Sequence, residues 1–319
     1  MVREKIYEVQ RKRFLFKVEK SHSHHDYQKY EDLRMAVWGD PKDRMPGQRN
    51  MVCENFYNEG SALFIGVFIE DDRGGFPEDR DHLVGFSYGF VGVKDKSLGF
   101  RNPENLLFYS QYTGVEDAYR HFGLGLLIKE FQRDVLVEDF GIDVISCTFD
   151  PLTGVNAYRN IHLLGMEVIA YNRDHYGDYG GKLNRLDVPC DRFCVHWHLS
   201  KETRRPSYDL GRLVNTSLPV ICLSHQVVQG RDGPLEMAVL RDVDLGIDEP
   251  FILVEIPFDF YAVLQQTDVS DEAVRRIPKD WREATRRVFL HYFNEGYRVV
   301  DFRLFEQGNR RRDFYVLHR

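Results

Sequence analysis

The chain of 319 residues carries 43 Lys and Arg against 50 Asp and Glu, a formal charge of −7, and 43% of it is hydrophobic. That apolar share supplies a packed core and excludes wholesale disorder. The acidic balance argues against nucleic acid or an anionic membrane as the main partner. Mean hydropathy is −0.44, and with no run of about 18 apolar residues no membrane span is expected.

The first 20 residues alternate enough to read as one or two strands, and MVREKIYEVQRKRFLF lacks the apolar stretch of a signal peptide. The polar stretch Ser21-His22-Ser23-His24-His25-Asp26 offers a Ser or Asp cap for a helix from about Tyr27, with Tyr30, Leu33, Val37 and Trp38 on one face. Asp40-Pro41 and Met45-Pro46-Gly47 end it. Residues 61–69 (SALFIGVFI) and 83–91 (LVGFSYGFV) are strand-like, and the Gly-rich insert 71–81 reads as their hairpin loop. Residues 106–115 are a strand, 122–137 a helix starting in the glycines of HFGLGLL, and 142–149 a strand. Together they form a βαβ unit whose strands should run parallel. A short helix over 156–164, closed by Gly165, precedes a strand at 166–171; 193–199 is another strand. The polar, Pro-containing run 201–207 reads as a linker. Beyond it the pattern gives a strand at 251–256, a helix at 280–295 ended by Gly296, and strands at 297–305 and 314–318. The fold class is therefore α+β: a mixed, mostly antiparallel sheet with a central parallel βαβ unit. Length suggests two structural units or one enlarged one; two are expected, at 1–200 and 208–319. Five scattered cysteines (Cys53, Cys147, Cys190, Cys194, Cys222) lack disulfide-framework spacing and fit a cytoplasmic location.

The segment richest in chemistry is YTGVEDAYRHFGLG, residues 112–125. It sets Arg120-x-x-Gly123-x-Gly125 directly after a strand and at the start of a helix. Glycines there turn the backbone tightly and leave amide N–H groups unpaired. With the helix dipole behind them, such amides suit a phosphate or pyrophosphate, and Arg120 adds a charge-assisted contact. No Lys-Ser/Thr pair follows the last glycine, which excludes the Walker loop, and a leading run of antiparallel strands fits a Rossmann domain poorly.

This loop, preceded by Val115 and Tyr119, resembles the acyl-CoA pyrophosphate loop of the GNAT superfamily of acyltransferases. Further signatures resemble one subgroup of predicted GNAT enzymes associated with N-acylation and N-succinylation of amino acids. They include Val37-Trp38-Gly39 and Val84-Gly85-Phe86 upstream, then Cys147-Thr148-Phe149-Asp150-Pro151-Leu152, Asn156-Ala157 and Leu164-Gly165. Tyr176-Gly177, Leu183-Asn184, and Asp191-Arg192-Phe193 with Trp197 follow, and Glu255-Ile256-Pro257, Trp281-Arg282, Thr285-Arg286, Tyr292-Phe293 and Gly296-Tyr297 extend the likeness to the C-terminal part. The resemblance implies a GNAT-like domain at 1–200 and, at 208–319, a degenerate second GNAT-like half that completes the sheet or covers the acceptor site. Where the first half has its glycine loop, this one has Ile256-Pro257-Phe258, and no phosphate binding is expected there.

The resemblance also implies site residues. Main-chain groups of residues 111–115, among them Thr113, Gly114 and Val115, would face the pantetheine arm. The N–H groups of His121, Phe122, Gly123, Leu124, Gly125 and Leu126, with Arg120, would hold the pyrophosphate. The strand at 142–149 would splay from its neighbour to admit the thioester, and Asn156 would contact the CoA arm. The implied activity is transfer of an acetyl or succinyl group from acetyl-CoA or succinyl-CoA to the amine of a small molecule, an amino acid among the candidates. The alternative is a catalytically silent acyl-CoA-binding regulatory protein. A homodimer is the candidate assembly. Many members place a Tyr four residues before the glycine of the Leu-Gly turn as general acid; here that residue is Ile161, with Tyr158 and Tyr171 as substitutes. Asp150 and Glu116 are the candidate bases, with Glu104 further back, and Arg159, Arg173 and Arg192 could meet a carboxylated acyl chain.

Three constellations carry a more ordinary expectation. Cys194, His196 and His198 share one face of a strand, without the spacing of a structural zinc site, so no metal is expected. His22, His24 and His25 read as an exposed helix entry. Arg310-Arg311-Arg312 reads as a charged hairpin end.

Overall fold

The computed structural model describes residues 3–177, 180–308 and 310–319, except the side chains of Gln307 and Arg310. The chain divides into two compact units, residues 1–147 with 198–201, and residues 148–197 with 202–319.

In the first unit β1 (Glu4–Val9) and β2 (Lys12–Val18) form a hairpin. They are followed by α1 (Gln28–Trp38), α2 (Gln48–Glu54), β3 (Ala62–Ile69), β4 (Leu83–Val93), β5 (Leu106–Val115), α3 (Leu124–Val135) and the start of β6 (Val144–Phe149). The strands lie in the order β1-β2-β3-β4-β5-β6. The first five are antiparallel, with registers such as Ile6↔Leu15, Phe16↔Val67 and Phe64↔Tyr88. β5 and β6 run parallel through Phe108↔Ile145 and Tyr109↔Ser146, so the predicted βαβ unit is present. Seven of the eight residues of β3 are buried, since helices cover both faces. On one face Tyr30 of α1 packs on Phe64 and Trp38 on Phe86. On the other, Phe131 of α3 meets Phe16 at 6.0 Å. A strand covered on both sides reads as a continuous apolar run, as SALFIGVFI does. α1 starts without the expected side-chain cap, because a 3-10 turn over His24–Tyr27 leads into it.

The second unit holds the end of β6, α4 (Gly154–Ala157), β7 (Glu167–Asn172) and most of β8 (Arg192–His198). Then come α5 (Leu210–Thr216), β9 (Ile221–Gly230), β10 (Gly233–Val243), β11 (Phe251–Ile256), α6 (Phe260–Gln266), α7 (Glu272–Asn294), β12 (Arg298–Gln307) and β13 (Arg310–His318). β7 and β8 pair antiparallel, β9 and β10 form a two-stranded hairpin, and the last strands build a separate antiparallel sheet in the order β11-β13-β12. The C-terminal strands thus make a sheet of their own rather than extending the first. α7 buries Phe289 against Tyr171, Phe193 and Tyr315, with ring centroids 5.9, 4.9 and 5.2 Å away. It starts eight residues before the predicted position: Asp271 caps the N–H groups of Ala273 and Val274, and Pro278 lies inside the helix. No helix among the described residues is long and apolar enough to cross a membrane.

Candidate functional site

The predicted binding residues 113–126 form one strand–loop–helix segment within the first unit. Along β4–β5 the register runs Ser87↔Thr113 and Tyr88↔Tyr112, then jumps to Gly89↔Ser110, which leaves Gln111 as an extra residue in a β-bulge. Pairing of β5 with β6 covers Tyr109 and stops short of this bulge. A bulge bends its strand and re-aims its backbone groups, and Gln111 is exposed here.

Buried polar groups hold this irregular backbone in place. Ser87 Oγ donates to the Tyr112 carbonyl at 3.1 Å and accepts from Gln132 Nε2 at 2.8 Å. Lys129 Nζ donates to Ser110 Oγ at 2.6 Å. Lys129 and Gln132 sit three apart on the buried face of α3. They were not singled out from the sequence, although a Lys and a Gln on the apolar face of a helix, opposite serines in apolar strands, are the visible signal. Gly114 is needed for close packing: a Cβ there would lie 2.8 Å from Trp38 Cζ3.

After β5 the chain runs through Glu116, bound to Arg80 Nη2 at 3.2 Å, and a 3-10 turn over Asp117–Phe122. Gly123, at φ +70°, reverses into α3; a side chain there would meet nothing within 4 Å, but it would be forced into the left-handed region. The Leu126 and Leu127 N–H groups fold back on the Gly123 carbonyl at 3.0 and 3.4 Å. Those of Leu124 and Gly125 have no carbonyl within α3 to reach, as at any helix start. Phe122 and Leu124 are buried and anchor the turn; Phe122 lies 5.4 Å from Phe14 between ring centroids. Arg120 and His121 are exposed, and Arg120 Nη2 pairs with Asp117 at 2.7 Å. The segment thus sets an exposed cation beside an anchored glycine turn at a helix start, an arrangement suited to a phosphate group.

The remaining predicted residues, Asp150, Asn156 and Tyr158, belong to the second unit. Asp150 is buried and bidentate with the fully buried Arg282, Nη1 to Oδ1 at 2.8 Å and Nη2 to Oδ2 at 2.5 Å. Its Oδ1 also accepts the Leu152 N–H at 2.8 Å, and Arg192 Nη1 lies 3.4 Å from Oδ2. Burial works against the Arg282 charge, yet the charge and hydrogen bonds of Asp150 outweigh it and hold the guanidinium firmly protonated. Both carboxylate oxygens are thus engaged by the Arg282 guanidinium. In the structure Asp150 is one half of a buried ion pair with Arg282.

Next to this pair Asp191 accepts from Arg286 Nε and Nη2 at 2.8 and 2.6 Å, from the Tyr171 hydroxyl at 2.6 Å and from the Asp174 N–H at 2.9 Å. Burial opposes the Asp191 charge, but these bonds prevail and hold its carboxyl below the ordinary 3.8. Tyr171, buried and facing that carboxylate, is pushed well up, and its proton is spent on Asp191. A depressed carboxyl stabilises the fold above its unfolded value and loses that contribution as pH falls through the folded one. Urea midpoints of the wild type should therefore fall as pH drops below about 4. Asp191→Asn should be weaker at pH 7 and show a flatter acid arm; identical acid arms would contradict the assignment.

Asn156 accepts from Arg159 Nη2 at 2.8 Å and donates to Thr153 Oγ1 at 3.1 Å. Tyr158 stacks on His162, ring centroids 4.9 Å apart, and Ile161 is buried. Cys194, His196 and His198 share the half-buried face of β8, while Phe193, Val195 and Trp197 fill the other. His22, His24 and His25 are exposed as expected. In the arginine run, Arg311 binds Asp313 and Arg312 binds Glu255, each through two bonds; the Arg310 side chain lies outside the described residues.

No protein-family model matches this sequence, and no curated protein matches it significantly. Among solved structures the chain is similar to NAA60 of Arabidopsis thaliana in complex with a bisubstrate analogue, at 11% identity and a TM-score of 0.42, over 57% of this chain and 98% of that one. It is also similar to the ribosomal-protein-S18-alanine N-acetyltransferase of Escherichia coli, at 12% identity and 0.40, over 60% and 99%. A third is the ribosomal-protein-S5-alanine acetyltransferase of Vibrio fischeri, at 11% and 0.42, over 62% and 98%.

Proposed function

We propose that this protein is an acyl-CoA-dependent N-acyltransferase that moves an acetyl or succinyl group from its CoA thioester to the amine of a small molecule. The observation that carries the reading is the segment 111–126: a bulged strand, then a glycine turn into the start of a 12-residue helix. The sequence resemblance assigns that arrangement to an acyl-CoA arm and pyrophosphate. In this reading Thr113, Gly114 and Val115 offer main-chain groups to the pantetheine. The amides around Gly123, Leu124 and Gly125, with Arg120, receive the pyrophosphate. A bound amine attacks the thioester carbon directly, and positioning supplies much of the acceleration.

Arg120 is exposed, so its charge can be reversed without disturbing the core. Arg120→Glu should weaken acetyl-CoA binding by about 10- to 100-fold, the range for losing a charge-assisted hydrogen bond, with the melting temperature unchanged. Isothermal titration checks this; wild-type affinity would remove Arg120 from the site.

A second reading, an acyl-CoA-binding protein without turnover, is favoured by the engagement of the expected acid–base groups. Asp150 is held by Arg282, Glu116 by Arg80 and Tyr171 by Asp191, and Ile161 is apolar. Trapping free thiol over a panel of amines separates the two: binding without thiol release supports the second. Comparing acetyl-CoA with succinyl-CoA in the same assay sets the acyl chain.

A further inference from the structure

The bulge at Gln111 is gripped on both flanks by one helix. On one flank Lys129 Nζ donates to the Ser110 hydroxyl, 2.6 Å away. On the other, Gln132 Nε2 donates to Ser87 Oγ at 2.8 Å, and Ser87 in turn donates to the Tyr112 carbonyl at 3.1 Å. Ser110 and Tyr112 stand on either side of Gln111 in β5. Lys129 and Gln132 stand three apart on α3, so one face of the helix meets both flanks. The proton count fixes the direction of the relay. Ser87 has one hydroxyl proton, and the Tyr112 carbonyl can only accept it. The Ser87 oxygen is then an acceptor, which requires Gln132 to turn its NH₂ toward it and its carbonyl away. Thr113 Oγ1 lies 3.5 Å from the same oxygen.

That orientation has a consequence for Gln132. The side chain has no exposed surface, and its Oε1 is buried with no hydrogen-bond partner among the described residues. A buried oxygen without a partner destabilises the fold, whereas an apolar side chain of the same shape would not. Leu124, Ile128, Phe131 and Val135 are the apolar residues that α3 buries beside it, so an apolar neighbour would suit this position. Gln132 therefore works against stability while it fixes the backbone that leads into residues 113–115. The same helix begins at the Gly123 turn, so the bulged strand and the glycine turn are both referred to one rigid element.

We propose that Gln132, acting through Ser87, is a positioning residue for the pantetheine arm of acyl-CoA; this rests on the acyl-CoA reading above. Gln132 and Ser87 are fully buried, so neither meets the ligand. Their work is to hold the main-chain groups of residues 113–115 at a set distance from the turn at Gly123, so that one ligand engages both. The ligand class that reads this spacing is a nucleotide pyrophosphate joined to an extended amide chain; a nucleotide alone does not.

The test compares acetyl-CoA with ADP, which has the pyrophosphate but no pantetheine. Both are titrated calorimetrically into the wild type, Gln132→Met and Ser87→Ala, with melting temperatures measured alongside. Methionine keeps the unbranched shape and helix propensity of glutamine and removes both the donor and the unpartnered oxygen. Gln132→Met should weaken acetyl-CoA binding by about 3- to 10-fold, the usual scale of one neutral hydrogen bond. It should leave ADP affinity unchanged and melt no lower than the wild type. Ser87→Ala should show the same split between the two ligands. The double variant should lose no more than the larger single loss, since both residues act in one relay. A Gln132→Met chain with wild-type acetyl-CoA affinity overturns the proposal while the acyl-CoA reading stands. Equal losses for ADP and acetyl-CoA, or a loss that comes with a lower melting temperature, mark a glutamine that serves the fold alone and overturn it as well. Wild-type protein that binds neither ligand removes the reading and the proposal together.

Discussion

Arg282→Ala should cost the fold about 3–5 kcal/mol, the usual consequence of removing one partner from a buried ion pair. Arg282 has no exposed surface, and its guanidinium fits both oxygens of Asp150. Alone, Asp150 would be left as a buried charge with only the Leu152 N–H and the neighbouring Arg192 in compensation. Asp150→Ala should be comparably damaging, because it strands the guanidinium. The double variant Asp150→Leu/Arg282→Met should recover most of the loss, since a well-packed apolar pair can replace a buried ion pair at little cost. Urea unfolding checks all three. A single variant within about 0.5 kcal/mol of wild type, the scale of an ordinary surface substitution, would contradict the structural role. Any activity lost in Asp150→Ala then follows from the fold, whereas the sequence alone suggested lost chemistry on an intact fold.

The second large effect is expected at Gly123. Its φ of +70° lies where a side chain costs about 1–2 kcal/mol, and valine, stiff at χ1, adapts poorly. Space is not the obstacle, because a Cβ would meet nothing within 4 Å. The cost therefore falls on the turn itself. A strain of that size lowers the population of the native turn by about 5- to 30-fold, and ligand affinity falls by the same factor. Gly123→Val should weaken acetyl-CoA binding accordingly while α3, anchored by Leu124, Ile128 and Phe131, keeps its place. Gly47, with no neighbour within 4 Å and no positive φ, provides the control: Gly47→Ala should leave affinity unchanged. Unaltered binding in Gly123→Val would show that the ligand does not use this turn.

The first unit was largely legible in the sequence, and the reason is physical. Its strands are long and apolar, its turns carry Gly or Pro, and a helix of period 3.6 follows the glycine turn, so residues 106–115 read as β5 to the residue. The parallel pairing of β5 with β6 followed from an intervening helix. The bulge at Gln111 did not show, because it is fixed by register between strands that the sequence does not pair. Nor did the contacts of Lys129 and Gln132, which join residues 19 and 45 positions apart.

In the second unit, local signals were weaker. Pro278 marks a helix boundary in most settings, but here capping by Asp271 and apolar packing carry α7 through it. β9 and β10 escaped notice because most of their residues are half-buried or exposed, so no apolar alternation marks them. The site lesson is similar. Asp150 stands at a strand end, and nothing local in the sequence shows its partner Arg282, 132 positions away. Residue type and spacing point to a glycine turn at a helix start; they cannot say which carboxylates are paired.

The central claim is that the turn at Gly123 holds an acyl-CoA for transfer to an amine. It is tested most directly by titrating acetyl-CoA and succinyl-CoA into the wild-type chain and following thiol release across amino acids and other small amines. The account predicts saturable binding, weakened by Arg120→Glu and Gly123→Val, and amine-dependent thiol release. A folded wild-type chain that binds neither thioester would contradict it.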